Sequence, residues 1–202
     1  MPPVRELVLA SQNPGKLLEM RQLLEGLPLR VLGAAELGIR DAPEETGKTF
    51  QENAALKARH YSRVSGRLAV ADDSGIAVDA LDGAPGLFSS RFGGPGASDG
   101  ERNRLLLEKL QGIPATGRGA RFTCAVAVGR QGELVFQALE DVPGRIAELP
   151  RGAGGFGYDP LFFYPPLGRT FGELSRAEKD RVSHRGKAFA RLREFLAELT
   201  AG

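Results

Sequence analysis

Four short segments carry residue types whose spacing suits the handling of a charged ligand. Ser11-Gln12-Asn13-Pro14-Gly15-Lys16 leaves an apolar run and enters a helical pattern. A turn from strand to helix aims backbone N–H groups and the positive end of the helix dipole at one point. Gly15 lets a ligand approach the backbone, and Lys16 adds a point charge. The segment is not a G-x-x-x-x-G-K-[ST] loop, and it reads equally well as an ordinary cap with Pro14 in the first turn. Asp72-Asp73-Ser74-Gly75 follows the apolar Leu68-Ala69-Val70-Ala71. Acidic residues at the carboxyl end of a strand stand where open α/β sheets bind ligands. Side chains alternate along a strand, so one carboxylate can face a reaction while its neighbour pairs structurally. Mg²⁺ needs only one or two protein carboxylates when phosphate oxygens complete its shell. Glu44-Glu45 could supply the second. The competing reading is an Asp-Ser-Gly turn between two strands.

The third segment, Gly152-Ala153-Gly154-Gly155-Phe156-Gly157-Tyr158-Asp159, contains the letters G-x-G-x-x-G. It runs into Pro160 and an aromatic stretch rather than opening a helix, so it is not a dinucleotide fingerprint. It reads as a tight loop presenting Phe156, able to stack on a nucleobase, or as a glycine loop that packs Phe156 into the core. The fourth is Lys179 with Ser183-His184-Arg185-Gly186-Lys187. Ser183 stands at the N-cap position of the last helix, which places His184 and Arg185 in its first turn. Cations there oppose the helix dipole, which an anion or ligand nearby would explain; otherwise the run is a solvated basic turn. His60 and Lys57 fall mid-helix and read by themselves as surface residues. Cys124 reads as a small core residue.

Composition narrows the classes. The chain has 202 residues, 42% hydrophobic and 26% charged, with 27 Lys+Arg against 25 Asp+Glu. The signs are mixed along the chain, without the basic stripe that a duplex-gripping surface needs. One cysteine permits neither an internal disulfide nor a thiolate metal site. The apolar run in MPPVRELVLAS is too short for a signal peptide, and no stretch approaches the ~20 apolar residues of a membrane span. The expectation is a cytoplasmic protein that binds neither nucleic acid nor membrane.

The elements that must position these residues follow from periodicity. Strands are expected at Val4–Ala10, Leu29–Leu32, Leu68–Ala71, Ile76–Leu81, Arg121–Val128, Glu133–Leu139 and Leu161–Tyr164, with a hairpin turn at Arg130-Gln131-Gly132. Helices are expected from Gly15 to Leu24 and from Phe50 to Val64, the second opened by a Thr49/Glu52 capping box and closed at Gly66. Ser98/Glu101 and Ser175/Glu178 open two more. Ala188, Phe189, Leu192, Phe195, Leu196 and Leu199 mark the inner face of a last helix. Residues 82–97 read as a Gly/Pro loop. The mixture of crossovers and a hairpin gives an α/β fold on a mixed sheet, with no clean domain boundary.

Taken in order, S-x-N-P-G-K, E-E-T-G-K-T-F-x-E-N-A-x-x-K-A, A-D-D-S-G, G-A-P-G-x-x-S-x-R, G-G-F-G-Y-D-P and S-H-R-G-K-A are far more specific than any one of them. The set closely resembles the inosine/xanthosine triphosphate pyrophosphatase family, from about Leu7 to the last helix. The resemblance implies one catalytic domain spanning 1–202, an elongated mixed sheet with two lobes and a cleft between them. It implies Mg²⁺-dependent hydrolysis of ITP, dITP and XTP to monophosphate and pyrophosphate, usually by a homodimer. It assigns Ser11, Gln12, Asn13, Pro14, Gly15 and Lys16 to the triphosphate and Glu45 and Asp73 to the metal. Asp73 is also the family's general base, with Lys57 a phosphate lysine and Ser74 a substrate contact. Phe156, Gly157, Tyr158, Asp159, Lys179, His184 and Arg185 match the base and sugar pocket. A pyrophosphatase for pyrimidine or modified nucleotides, or a nucleotide sensor without catalysis, are the alternatives.

Overall fold

The protein is described here by a computed structural model covering residues 6–11 and 13–201. Val4, the expected start of the first strand, and Gln12 lie outside the described residues. In chain order the elements are β1 (Glu6–Leu9), α1 (Pro14–Leu23), β2 (Arg30–Gly33), α2 (Phe50–Ser65), β3 (Leu68–Val78) and α3 (Asp99–Lys109). They continue with β4 (Gly119–Arg130), β5 (Glu133–Ile146), β6 (Phe162–Tyr164), β7 (Arg169–Thr170), α4 (Arg176–Val182) and α5 (His184–Ala201). The strand order is β2-β1-β3-β4-β5-β6-β7. β1 runs parallel to β2 and β3, whereas β6 is antiparallel to β5 and β7, so the sheet is mixed.

Two compact units share the long strands. The first comprises Met1–Asp73, Cys124–Glu140 and Arg185–Gly202. Its strands bury both faces, one against α1 and α5 and the other against α2. Leu7, Leu9, Leu68, Val70, Cys124, Val126 and Val128 join Met20, Phe189 and Leu192 on one face. The alternate residues Val8, Ala10, Ala69, Ala71, Ala125 and Ala127 join Ala54, Ala58 and Tyr61 on the other. This second face is built of small residues, which lets α2 approach closely. Gly129 shows how closely: a Cβ there would stand 2.3 Å from the Ala58 carbonyl oxygen and 2.8 Å from Ser62 Oγ.

The second unit comprises Ser74–Thr123 and Asp141–His184. Its core gathers Ile76, Val78, Leu106, Leu110, Phe122, Val142, Phe162 and Phe171. Helix α3 opens with the expected reciprocal capping box of Ser98 and Glu101, and α4 with that of Ser175 and Glu178. In α2 only half of the expected box forms. Thr49 accepts the Glu52 N–H, but the Glu52 carboxylate accepts from Lys48 N at 2.6 Å.

Three strand expectations need correction. Leu68–Ala71 and Ile76–Leu81 are one strand, with Asp79–Leu81 forming a short 3-10 turn after it. Asp72-Asp73-Ser74-Gly75 therefore lies in mid-strand, not at a strand end or in a turn. Its carboxylates tolerate burial because each meets cations, as described below. Strand β5 runs on to Ile146, where Arg145 and Ile146 pair with Phe163 and Phe162. That non-local pairing carries the strand on through Pro143 and Gly144, and it sits beside the two-residue β7, which has no local signature. Within the expected 82–97 loop, Gly86–Arg91 is a 3-10 segment held by Ser89, whose Oγ accepts the Ile76 N–H at 2.9 Å. Among the described residues no helix is long and apolar enough to cross a membrane.

Because α2 carries Lys57, its fit onto the sheet matters to the site. Gly129→Ala should cost about 3 kcal/mol through overpacking against helix backbone, or ~6–12 °C in Tm. Thermal unfolding measures this, and a change below 1 °C would contradict the close approach.

Candidate active site

The alternation of β3 distributes the acidic pair. Asp72 continues the Leu68/Val70 face toward α1 and α5, and Asp73 continues the Ala69/Ala71 face toward α2. Asp72 is 1% exposed. Its Oδ2 lies 3.0 Å from Lys16 Nζ and 3.2 Å from Arg185 Nη2. Arg185, also buried, donates to Glu19 of α1 through Nη1. A single guanidinium thus joins the first helix, β3 and the last helix. Burial works against the Asp72 carboxylate, but Lys16, Arg185 and Lys57 outweigh it and hold its pKa well below the ordinary value. Burial likewise opposes the Arg185 charge, and Glu19 and Asp72 more than restore it. The anion that the basic start of α5 called for is supplied by the protein's own carboxylates.

On the other face, Lys57 Nζ lies 2.8 Å from Glu45 Oε1 and 3.2 Å from Asp73 Oδ1. Asn53, one turn earlier on α2, donates from Nδ2 to Asp73 Oδ2 at 3.2 Å. Burial pushes the Asp73 carboxyl above its ordinary pKa, against Lys57 and Lys16, and the Glu45 and Asp72 charges add to the rise. Burial opposes the Lys57 ammonium, but Asp73, Asp72 and Glu45 reverse that and hold its pKa above the usual lysine value. The two acids of adjacent sequence are therefore driven in opposite directions. Asp72 is locked as an anion, and Asp73 is the more basic.

Asn13 caps the N-terminus of α1, and the described residues of the turn offer fewer open donors than the sequence suggests. Asn13 Oδ1 accepts the Lys16 N–H at 3.1 Å, the Asn13 N–H reaches Ser11 Oγ at 3.3 Å, and Pro14 has no N–H. Among the described residues of the turn, the Lys16 ammonium rather than a ring of backbone N–H groups is the main cationic feature. Ser74 follows Asp73 on β3, half-buried.

A second group lies in the second unit. Asp159 Oδ2 accepts from the Phe156 N–H at 2.8 Å and from Lys179 Nζ at 2.7 Å. The Lys179 ammonium also stands 5.0 Å from the centre of the Phe156 ring, within cation–π range. Gly157 is clamped on both sides of its backbone by α3: its N–H donates to Asp99 Oδ2 at 2.6 Å, and its carbonyl accepts from Asn103 at 3.0 Å. Tyr158 is buried and donates to the Ser89 carbonyl at 2.8 Å. His184 stacks on Phe122 with ring centres 4.4 Å apart. The glycine segment is a pinned support for Phe156.

Of the predicted residues, the structure brings Lys16, Asp72 and Arg185 together, and Glu45, Lys57 and Asp73 together. It gathers Phe156 to Asp159 with Lys179. Sequence reasoning missed Asn53, Glu19, Asp99 and Asn103. Asn53 carried a signal, since its i,i+4 spacing to Lys57 puts both on one helix face. Glu19 carried none, as an acid among leucines on a short helix. His60 is half-buried, its Nε2 lying 3.1 Å from the Asp41 carbonyl oxygen. Cys124 is fully buried, its thiol pushed up to about 12 chiefly by burial. Among the described residues no group of three or more His, Cys, Asp and Glu side chains forms a metal cage.

The model of the Ham1 family matches residues 7–195. The dITP/XTP pyrophosphatase of Yersinia pseudotuberculosis is 49% identical over 199 residues, covering 96% of this chain and 100% of that one. That of Xanthomonas oryzae is 48% identical, covering 98% and 100%. In structure the chain is similar to a HAM1 protein from Coxiella burnetii, with a TM-score of 0.85, 43% identity and coverage of 96% and 100%. It is also similar to the nucleoside-triphosphatase / dITP/XTP pyrophosphatase of Mycobacterium abscessus, with a TM-score of 0.73, 41% identity and coverage of 93% and 98%.

Arg185→Met would leave Glu19 and Asp72 buried without their shared guanidinium. Losing one partner of a buried ion network costs about 3–5 kcal/mol, or ~6–20 °C in Tm. A calorimetric shift under 2 °C would show that the network does not hold the three elements together.

Proposed function

The chain belongs to the Ham1 family, and we propose that it hydrolyses dITP and XTP, and ITP with them, by water attack at the α-phosphorus. The observation that carries the reading is Lys57 bridging two carboxylates, Glu45 from the stretch before α2 and Asp73 from β3. Two hard oxygen donors that already share one cation suit Mg²⁺, with phosphate oxygens and water completing the shell. Glu45 and Asp73 are the proposed ligands. When bound, Mg²⁺ supplies charge neutralisation to the phosphates.

The protein's own residues do the rest. Asp73, made basic by burial, takes a proton from the attacking water. The water oxygen bonds to the α-phosphorus, and the bond from that phosphorus to the bridging oxygen breaks. Nucleoside monophosphate and pyrophosphate are the products. Lys16 and Lys57 stabilise the charge that gathers on the departing pyrophosphate. Ser11 to Lys16 receive the phosphates and Ser74 contacts the substrate, while Arg185 ties the start of α5 to Asp72. The nucleoside end falls to Phe156, Gly157, Tyr158, Asp159, Lys179 and His184. Phe156 offers a ring for stacking, worth ~1–3 kcal/mol without regard to the base. Selectivity rests on position 6 of the purine, an acceptor oxygen in hypoxanthine and xanthine and a donor amine in adenine. Donors left unpaired by adenine discriminate by ~10⁴ or more. The working form is proposed to be a cytoplasmic homodimer.

Two measurements test this. In water labelled with ¹⁸O, hydrolysis of ITP or XTP with Mg²⁺ should release pyrophosphate and leave the label in the monophosphate. Label in pyrophosphate or free phosphate would overturn the site of attack. Asp73→Asn keeps the shape and should lower kcat ~10²–10⁴-fold, the range of a general base, with Tm nearly unchanged. A variant turning over at the wild-type rate would remove Asp73 from the chemistry.

A further inference from the structure

Asn53 is 2% exposed, and both ends of its amide are engaged. Its Oδ1 accepts the Gly47 N–H at 2.8 Å, and its Nδ2 donates to Asp73 Oδ2 at 3.2 Å. Chemistry fixes this orientation, since a peptide N–H only donates and an ionised carboxylate only accepts. The other oxygen of Asp73 faces Lys57, which also holds Glu45. Gly47 lies two residues after Glu45, in a stretch with neither helix nor strand. The Asn53 amide therefore spans from the backbone beside Glu45 to the carboxylate of Asp73. The contact is tight. A Cβ at Gly47 would stand 2.5 Å from Asn53 Oδ1, 2.7 Å from Glu52 Cβ and 2.9 Å from the Asn53 nitrogen. No larger residue enters there without displacing the bond.

We propose that Asn53 is a positioning residue whose amide fixes the Asp73 carboxylate and the Glu45 segment relative to one another, so that both serve one divalent cation. The inference rests on the reading of Glu45 and Asp73 as the metal pair. Asn53 orients one oxygen of Asp73 and leaves the other for the cation side. Gly47 keeps the backbone after Glu45 within reach of the same amide. Removing outer partners of this kind costs ~10–100-fold in metal affinity, whereas a residue that only filled space under α2 would leave metal binding untouched.

Asn53→Ala and Gly47→Ala break the same link from opposite ends. Each full-length variant is titrated with Mn²⁺ by paramagnetic resonance beside a non-hydrolysable α,β-imido analogue of ITP. Half-saturating Mg²⁺ for pyrophosphate release and Tm are measured in parallel. Both variants should weaken Mn²⁺ binding and raise the Mg²⁺ requirement about tenfold or more, with kcat recovering at high metal. The double variant should be no worse than the poorer single one, because the two changes remove one interaction. Wild-type Mn²⁺ affinity and Mg²⁺ requirement in the variants, beside an active wild type, would overturn the role of Asn53 alone. A wild type that releases no pyrophosphate would overturn the functional reading and this inference with it. Should Asn53→Ala not fold, Gly47→Ala decides the matter by the same two readouts.

Discussion

Successive side chains on a strand cannot face the same way, and β3 places two buried carboxylates under that constraint. Asp72 must face α1 and α5, and Asp73 must face α2. Burying an anion costs several kcal/mol unless a cation meets it, so each face has to bring its own. Lys16 and Arg185 answer Asp72, and Lys57 answers Asp73. The positions of α1, α2 and α5 are thereby tied to chemistry as well as to apolar packing.

The two faces are not equivalent, and function follows from the difference. Asp72 is overcompensated by cations and stays an anion. Asp73 has one ammonium shared with Glu45 and a neutral amide, so burial prevails and its basicity rises. A locked anion organises structure, and a more basic one can hold a metal or take a proton. The small residues under α2 serve the same end: Ala69, Ala71, Ala125, Ala127 and Gly129 lower the helix onto the sheet until Asn53 and Lys57 reach Asp73.

The local signals were legible wherever the physics is local. Capping residues at Ser98 and Ser175, the turn at Gln131-Gly132, and the apolar stripe of α5 all lie where their spacing puts them. What failed depended on distant partners. Asp-Asp-Ser-Gly reads as a strand end, or as a turn, because nothing nearby shows that Arg185, 113 residues on, will neutralise Asp72 in mid-strand. Glu19 gives no sign that it will be buried, since its partner is 166 residues away. By periodicity alone Lys57 reads as a surface lysine, and Asn53, an amide on a helix, carries no sign that it will meet a carboxylate of β3. In the glycine segment, Phe156 reads either as a stacking ring or as a core residue, and the structure leaves it half-buried beside Lys179. The clamp from Asp99 and Asn103 was not legible, because it joins residues more than fifty positions apart.

Which face of β3 takes the cation decides whether Asp73 or Asp72 serves the chemistry. A crystal structure with Mn²⁺ and a non-hydrolysable ITP analogue, with the metal located by its anomalous scattering, tests this directly. The expected result is a peak within bonding distance of carboxylate oxygens of both Glu45 and Asp73, with Asp72 still held by Lys16 or Arg185. A metal bound to Asp72, or to neither acid of β3, would contradict it.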